Sequence, residues 1–170
     1  MSHRTQLHDM PGRVATGAYI LHSGLGKWRA DADHAAALHG QASKAFPVLE
    51  QVPPRIFVKV LSAAELATGA LLLIPFVPTA LAGSVLTAFS GGLVAMYMRT
   101  PEMREPGSIW PSRSGMAVSK DSWMLGMGVG LVLDATGRRL RASRAKIDRR
   151  RGHGALPRAG AGRAGKESKR

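Results

Sequence analysis

An all-α integral membrane bundle of four spanning helices, followed by a disordered basic tail, is the fold class that this 170-residue sequence predicts. Three observations carry it. Residues 66–98 form an uninterrupted run of thirty-three without one charged side chain. Two shorter uncharged runs, 14–26 and 122–133, lie on either side of it. Residues 138–170 hold thirteen of the 24 Lys/Arg but two of the 11 Asp/Glu, so most of the net charge of +13 belongs to the tail and the rest of the chain is nearly neutral.

The elements follow in order. Residues 1–12 are polar and lead into an apolar stretch without a small-x-small cleavage site, so the stretch is expected to stay as a helix and not to leave as a signal peptide. That first span covers about 13–28, its short apolar run lengthened by Arg13 and Lys27 if their long side chains snorkel to the interfaces. The Ala-rich segment ADADHAAALHGQASKAF reads as a helix lying on the outer surface, ended by Pro47 and the Pro53–Pro54 pair. As one helix, 66–98 would reach roughly 50 Å against about 30 Å of hydrocarbon. Pro75 and Pro78 break it into spans of 55–74 and 79–98. A soluble core could hide such a hairpin, but the chain outside the tail is too short to cover two such helices on every side. The fourth span covers about 120–137 with Lys120 as its flank. Both outer spans are short enough that an interfacial or re-entrant placement is the alternative. Domain boundaries follow at 12/13 and 137/138.

Small residues should bring these helices close. The third span repeats Gly83, Thr87, Gly91 and Ala95 at intervals of four, and the fourth has Gly126 and Gly130 as GxxxG. With four spans both termini share a side. That side receives fifteen Lys/Arg and the other nine, which places both termini in the cytoplasm. Trp28, Trp110, Trp123 and Tyr97 then form an aromatic belt at the outer face.

The absence of cysteine excludes disulfides, thiolate metal sites and a cysteine nucleophile within the chain. GLGKW lacks the spacing of a phosphate-binding loop. An intramembrane haem with two histidine ligands is disfavoured because His22 is the sole histidine in an expected span, and no metal site is expected.

Ionisable groups at membrane depth are costly and mark candidate sites. His22 lies roughly 7–8 Å deeper than Lys27 along the first helix, and Glu65 roughly 9 Å beyond Lys59 along the second. On antiparallel helices the two reach a similar depth, where they could pair facing the bundle interior. A structural polar clasp is the plainer use of such a pair; a quinone contact or proton relay is the functional one. Lys27, as an interfacial anchor, and Asp134, beside Arg138 at the inner interface, are weaker candidates. In the tail, Arg138, Arg139, Arg141 and Arg144 directly follow a span, where anionic lipid attracts basic residues; setting the topology is their simpler role. Nucleic-acid binding is disfavoured because no aromatics interleave with the charges.

Three stretches carry a resemblance: RVATGAYILHSGLGKW, LSAAELATGALLLIPFVPTALAG with its embedded Glu65, and KDSWMLGMGVGLVL. Across 12–137 the chain resembles the DoxX family of small four-helix bacterial membrane proteins. The resemblance implies the bacterial inner (plasma) membrane and a loose association with quinone-linked redox systems. It therefore suggests an accessory subunit rather than an independent enzyme. A bound quinone, an oxidoreductase partner or a homo-oligomer would fit that role. The alternative is a noncatalytic scaffold or handler of a small lipophilic molecule, whose mark would be a persistent apolar cavity.

Overall fold

Helix α1 opens at Met10, where Pro11 occupies the first turn and gives up no hydrogen bond, and runs to Trp28. The computed structural model describes residues 7–154, with side chains described as far as Arg149. A short 3-10 turn, Leu7–Asp9, precedes α1. Helix α2, Ala32–Ala45, starts where the Asp31 carboxylate accepts from the His34 amide at 2.8 Å, satisfying one of the orphan donors of its first turn. After a 3-10 turn at Pro47–Gln51, α3 spans Pro54–Leu73 and α4 spans Thr79–Arg99. A short helix α5, Met116–Ser119, follows the 100–115 connection, and α6 spans Asp121–Gly154. The described residues are all-α, with helices over the four stretches read as spans; of these, α3 and α4 are long and apolar enough to cross a membrane.

The described residues divide into two units, the first ending at Thr136 and the second starting at Gly137. Within the first, α1 and α3 make the most extensive packing, antiparallel and close. Glycine sets their separation. A Cβ on Gly69 would stand 2.9 Å from the Gly17 carbonyl oxygen and 2.9 Å from the Leu21 amide, and one on Gly17 would stand 2.9 Å from Leu72 Cβ. On the other side α4 meets α6 in the same manner: a Cβ on Gly83 would lie 2.8 Å from Leu131 Cβ, and one on Gly128 2.7 Å from the Thr87 amide. Ile20, Leu72, Ala82, Leu86 and Leu131 form the apolar centre between the two pairs.

This corrects the expected packing of the fourth span. Gly126 and Gly130 face open space, with no atom within 4 Å of a Cβ built on either, and Gly91 comes no nearer than 4.0 Å to Leu125. Gly128, two residues from each GxxxG glycine, is turned by about 200° around the helix and takes the contact. Spacing announced a small-residue face but not which of two glycine faces would meet α4.

Arg13 does not snorkel. Its side chain is fully buried and caps the end of α3: Nε donates to the Leu72 carbonyl at 2.9 Å, Nη2 to Leu71 and Ile74 at 3.0 Å each, and Nη1 to Val77 at 3.1 Å. The last carbonyls of any helix lack intrahelical partners, and Pro75 and Pro78 carry no amide hydrogen to help. A guanidinium, with five donors in a rigid fork, serves several such carbonyls at once.

The sequence allows a short helical extension of the last span into the tail, and the described part of that segment, to Gly154, is such an extension, longer than a turn or two. Arg, Leu, Ala and Lys are strong helix formers, and no proline occurs before Pro157. The remainder of the expected disordered tail lies outside the described residues.

Candidate functional site

The packing of α1 on α3 leaves space beside it. An apolar cavity of about 770 Å³ opens between α1, α2, α3 and α4, closed off towards the chain's second half by α5 and the start of α6. Ile20, Phe57, Leu61, Phe89, Leu93 and Met124 form most of its greasy wall. Leu38, Ala42 and Phe46 bring α2 over it, so this segment is a cover and not merely a surface helix. Buried Ala35, Ala42 and Ala45 let α2 settle against its neighbours. Tyr19 and Val60, 69% and 64% exposed, stand at the rim.

Charge is concentrated in one part of the wall. Lys27 Nζ lies 2.8 Å from Glu65 Oε1, 3.1 Å from Oε2 and 2.7 Å from Ser23 Oγ. The Glu65 side chain is 6% exposed and that of Lys27 20%, so this is a buried pair and not a solvated one. The helix crossing produces it. Ser62 Oγ donates to the Gly24 carbonyl at 2.7 Å, and Gly24 is so close that a Cβ there would stand 3.0 Å from Glu65 Cβ. With backbones in contact one turn away, the four-carbon stem of Lys27 folds back onto Glu65. Asp121, the first residue of α6, Gln41 of α2 and Ser114 of the 100–115 connection complete the polar lining.

The opposite end of the bundle carries a second polar cluster. Buried Asp9 accepts from Thr79 Oγ1 at 3.0 Å, and His8 Nε2 lies 3.1 Å from Asp9 Oδ1 and 3.3 Å from Asp134 Oδ2. The donor atoms of His8, Asp9 and Asp134 fall within 4.8 Å of one another, a grouping of cation-binding type that sequence reading did not foresee. Asp9 is already engaged by Thr79 and His8, and the cluster ties the starts of α1 and α4 to α6.

The sequence candidates separate accordingly. Glu65 faces the interior as expected, but its partner is Lys27. His22 is exposed on the outer side of α1, because five residues advance a helix by about 500°, placing it well away from the Lys27 direction. Lys27, expected at the interface, is the residue that enters the site. Asp134 sits in the second cluster, far from the cavity in sequence and in the bundle. Arg139, Arg141 and Arg144 are exposed and Arg138 half-buried; Arg138, Arg141 and Arg144 recur every third residue and share a face of the helix. Asp121 is not among the sequence candidates. What could have flagged it is its position at a helix start, with one residue between it and the short helix α5.

No known protein family, no curated protein and no solved structure matches this chain.

Proposed function

We propose that this chain is an integral membrane protein that holds a small lipophilic molecule in the cavity beneath α2, with the Lys27–Glu65 pair at the polar part of the wall. The cavity carries the reading. Its volume falls in the range of about 300–1,000 Å³ typical of small-molecule sites, and such sites combine apolar walls with a few placed polar groups. Burying an ion pair in an apolar wall is costly and seldom stabilises, which favours a use beyond stability.

Membrane residence is supported by the surface. Helices α3 and α4 are long and apolar enough to cross a membrane. Only 33% and 28% of their apolar windows are buried, whereas a core helix of a soluble protein is mostly covered. Ile56, Val60, Ile74, Leu81, Leu133 and Met98 are exposed on their own and neighbouring helices. A bilayer suits such a surface. Multi-pass insertion in a bacterial inner membrane, with both termini cytoplasmic, is part of the proposal. So is contact of Arg138, Arg139, Arg141 and Arg144 with anionic lipid, each basic residue near the surface contributing about 1 kcal/mol.

The DoxX-like accessory subunit of a quinone-linked system is the second reading. It is the same cavity with a redox-active occupant, and the buried Lys27–Glu65 pair in the wall is what favours it.

The test is purification from native membranes with mass spectrometry of the extracted small molecules, alongside Gly92→Phe. Gly92 lines the cavity and has open space around it, so a ring there should fill the cavity without disturbing a helix contact. A lipophilic compound present at near-stoichiometric amount in the parent and lost in Gly92→Phe is the expected result. Equal recovery from both would sink the cavity reading, and a quinone with an oxidoreductase partner would select the second one.

A further inference from the structure

We propose that the molecule held in the cavity carries a cationic, hydrogen-donating head, as a lipophilic amine does, and that Asp121 receives it. The inference rests on the cavity reading above and specifies its occupant.

The polar wall is already balanced at Lys27. An ammonium group has three donors, and Ser23 Oγ, Glu65 Oε1 and Glu65 Oε2 stand at 2.7, 2.8 and 3.1 Å to take them. A ligand carbonyl or carboxylate seeking Lys27 would have to displace one of these acceptors. Pairing gives the same direction. Lys27 and Glu65 answer one another, whereas Asp121 brings a further carboxyl group to the same wall. Among the described residues the Asp121 carboxylate makes no hydrogen bond and no ion pair. A carboxylate only accepts, so what the wall lacks is a donor, and in an apolar surround a charged donor is favoured over a neutral one. Gln41 both donates and accepts and adds no preference, and the Ser114 hydroxyl already donates to the Glu102 carbonyl.

A ligand with two carbonyls and no hydrogen to give, such as an oxidised quinone, leaves Asp121 unanswered. A neutral alcohol answers it with one hydrogen bond. A protonated amine supplies the hydrogen bond and a positive charge together, with the aliphatic or aromatic body against Phe57, Phe89 and Leu93.

The full chain in nanodiscs of zwitterionic lipid, with empty nanodiscs as blank, tests this by equilibrium binding of three radiolabelled probes of one body and different heads: 4-octylbenzylamine, 4-octylbenzyl alcohol and 4-octylbenzoate. Saturable binding in the order amine, alcohol, carboxylate is expected, with at least a tenfold gap between the ends. Asp121→Asn should reduce amine affinity about tenfold and leave the alcohol nearly unchanged, with helical circular dichroism confirming the fold. Glu65→Gln, which frees Lys27 donors, should raise carboxylate affinity. Tightest binding of the carboxylate or alcohol, or an amine preference indifferent to Asp121→Asn, would overturn the cationic head while leaving the cavity in place. No saturable binding of any probe would remove both.

Discussion

Lys27 and Glu65 are coupled through geometry that neither residue announces alone. With Glu65 almost fully buried and Lys27 largely so, removing one partner leaves the other charged in an apolar wall. Glu65→Leu alone is therefore expected to cost about 3 kcal/mol, and Lys27→Met alone a similar amount. The double substitution, an apolar pair of similar volume, should recover most of that loss. Unfolding in detergent micelles, followed by circular dichroism for all four proteins of the cycle, measures it; additive losses would show that the pair is not coupled. The burial of Glu65 was legible because a carboxylate inside an apolar helix has few affordable positions. Its partner was not. Choosing between His22 and Lys27 requires the rotation of α1 about its axis, which the glycine contacts at Gly17 and Gly24 determine and which is a property of the pair of helices.

Elements proved easier to read than their contacts. Hydropathy and two prolines were enough to place the α3–α4 hairpin to within a residue or two, because proline removes both an amide donor and helical geometry. The fourth helix was harder to read: Gly126, Gly128 and Gly130 offer small residues on two sides, and only the approach of α4 selects Gly128. A contrast in substitution follows. Gly69→Ala should destabilise by about 1–3 kcal/mol, since its Cβ has no space between Gly17 and Leu21. Gly126→Ala and Gly130→Ala should be neutral or stabilise by up to about 1 kcal/mol through helix propensity. The same detergent unfolding assay ranks them, and a Gly126→Ala loss equal to that of Gly69→Ala would show that α4 packs on the GxxxG face after all.

At the scale of the molecule, the exposed apolar faces and the packed interior have to be explained together. Residues 7–136 hold a well-defined centre of Ile20, Leu72, Ala82, Leu86 and Leu131, yet present Ile56, Val60, Phe76 and Trp123 outward. Such a chain should remain in the pellet after alkaline carbonate extraction of membranes, and release into the wash would defeat the membrane proposal. Trp28 and Trp123 lie at the end of the bundle where α1 finishes and α6 starts. The cavity was not legible at all. It exists because α2, a segment whose composition suggests only a surface helix, is drawn over the gap between helices that are held together elsewhere.

Arg13 gives the order of synthesis a physical meaning. The guanidinium that closes the end of α3 belongs to a residue placed 58 to 64 positions before the Leu71, Leu72, Ile74 and Val77 carbonyls that it serves. In the proposed bilayer, the arginine has no carbonyls to serve until that end emerges and would rest at the lipid–water boundary; until the two meet, the proline turn has unanswered carbonyls and would rest there too. In that setting each would keep the other at the surface until their meeting lets both enter. The first helix thus acts as a fitting held in reserve for a turn not yet made, and the hairpin that looks most self-sufficient in the sequence is the one that cannot be finished alone.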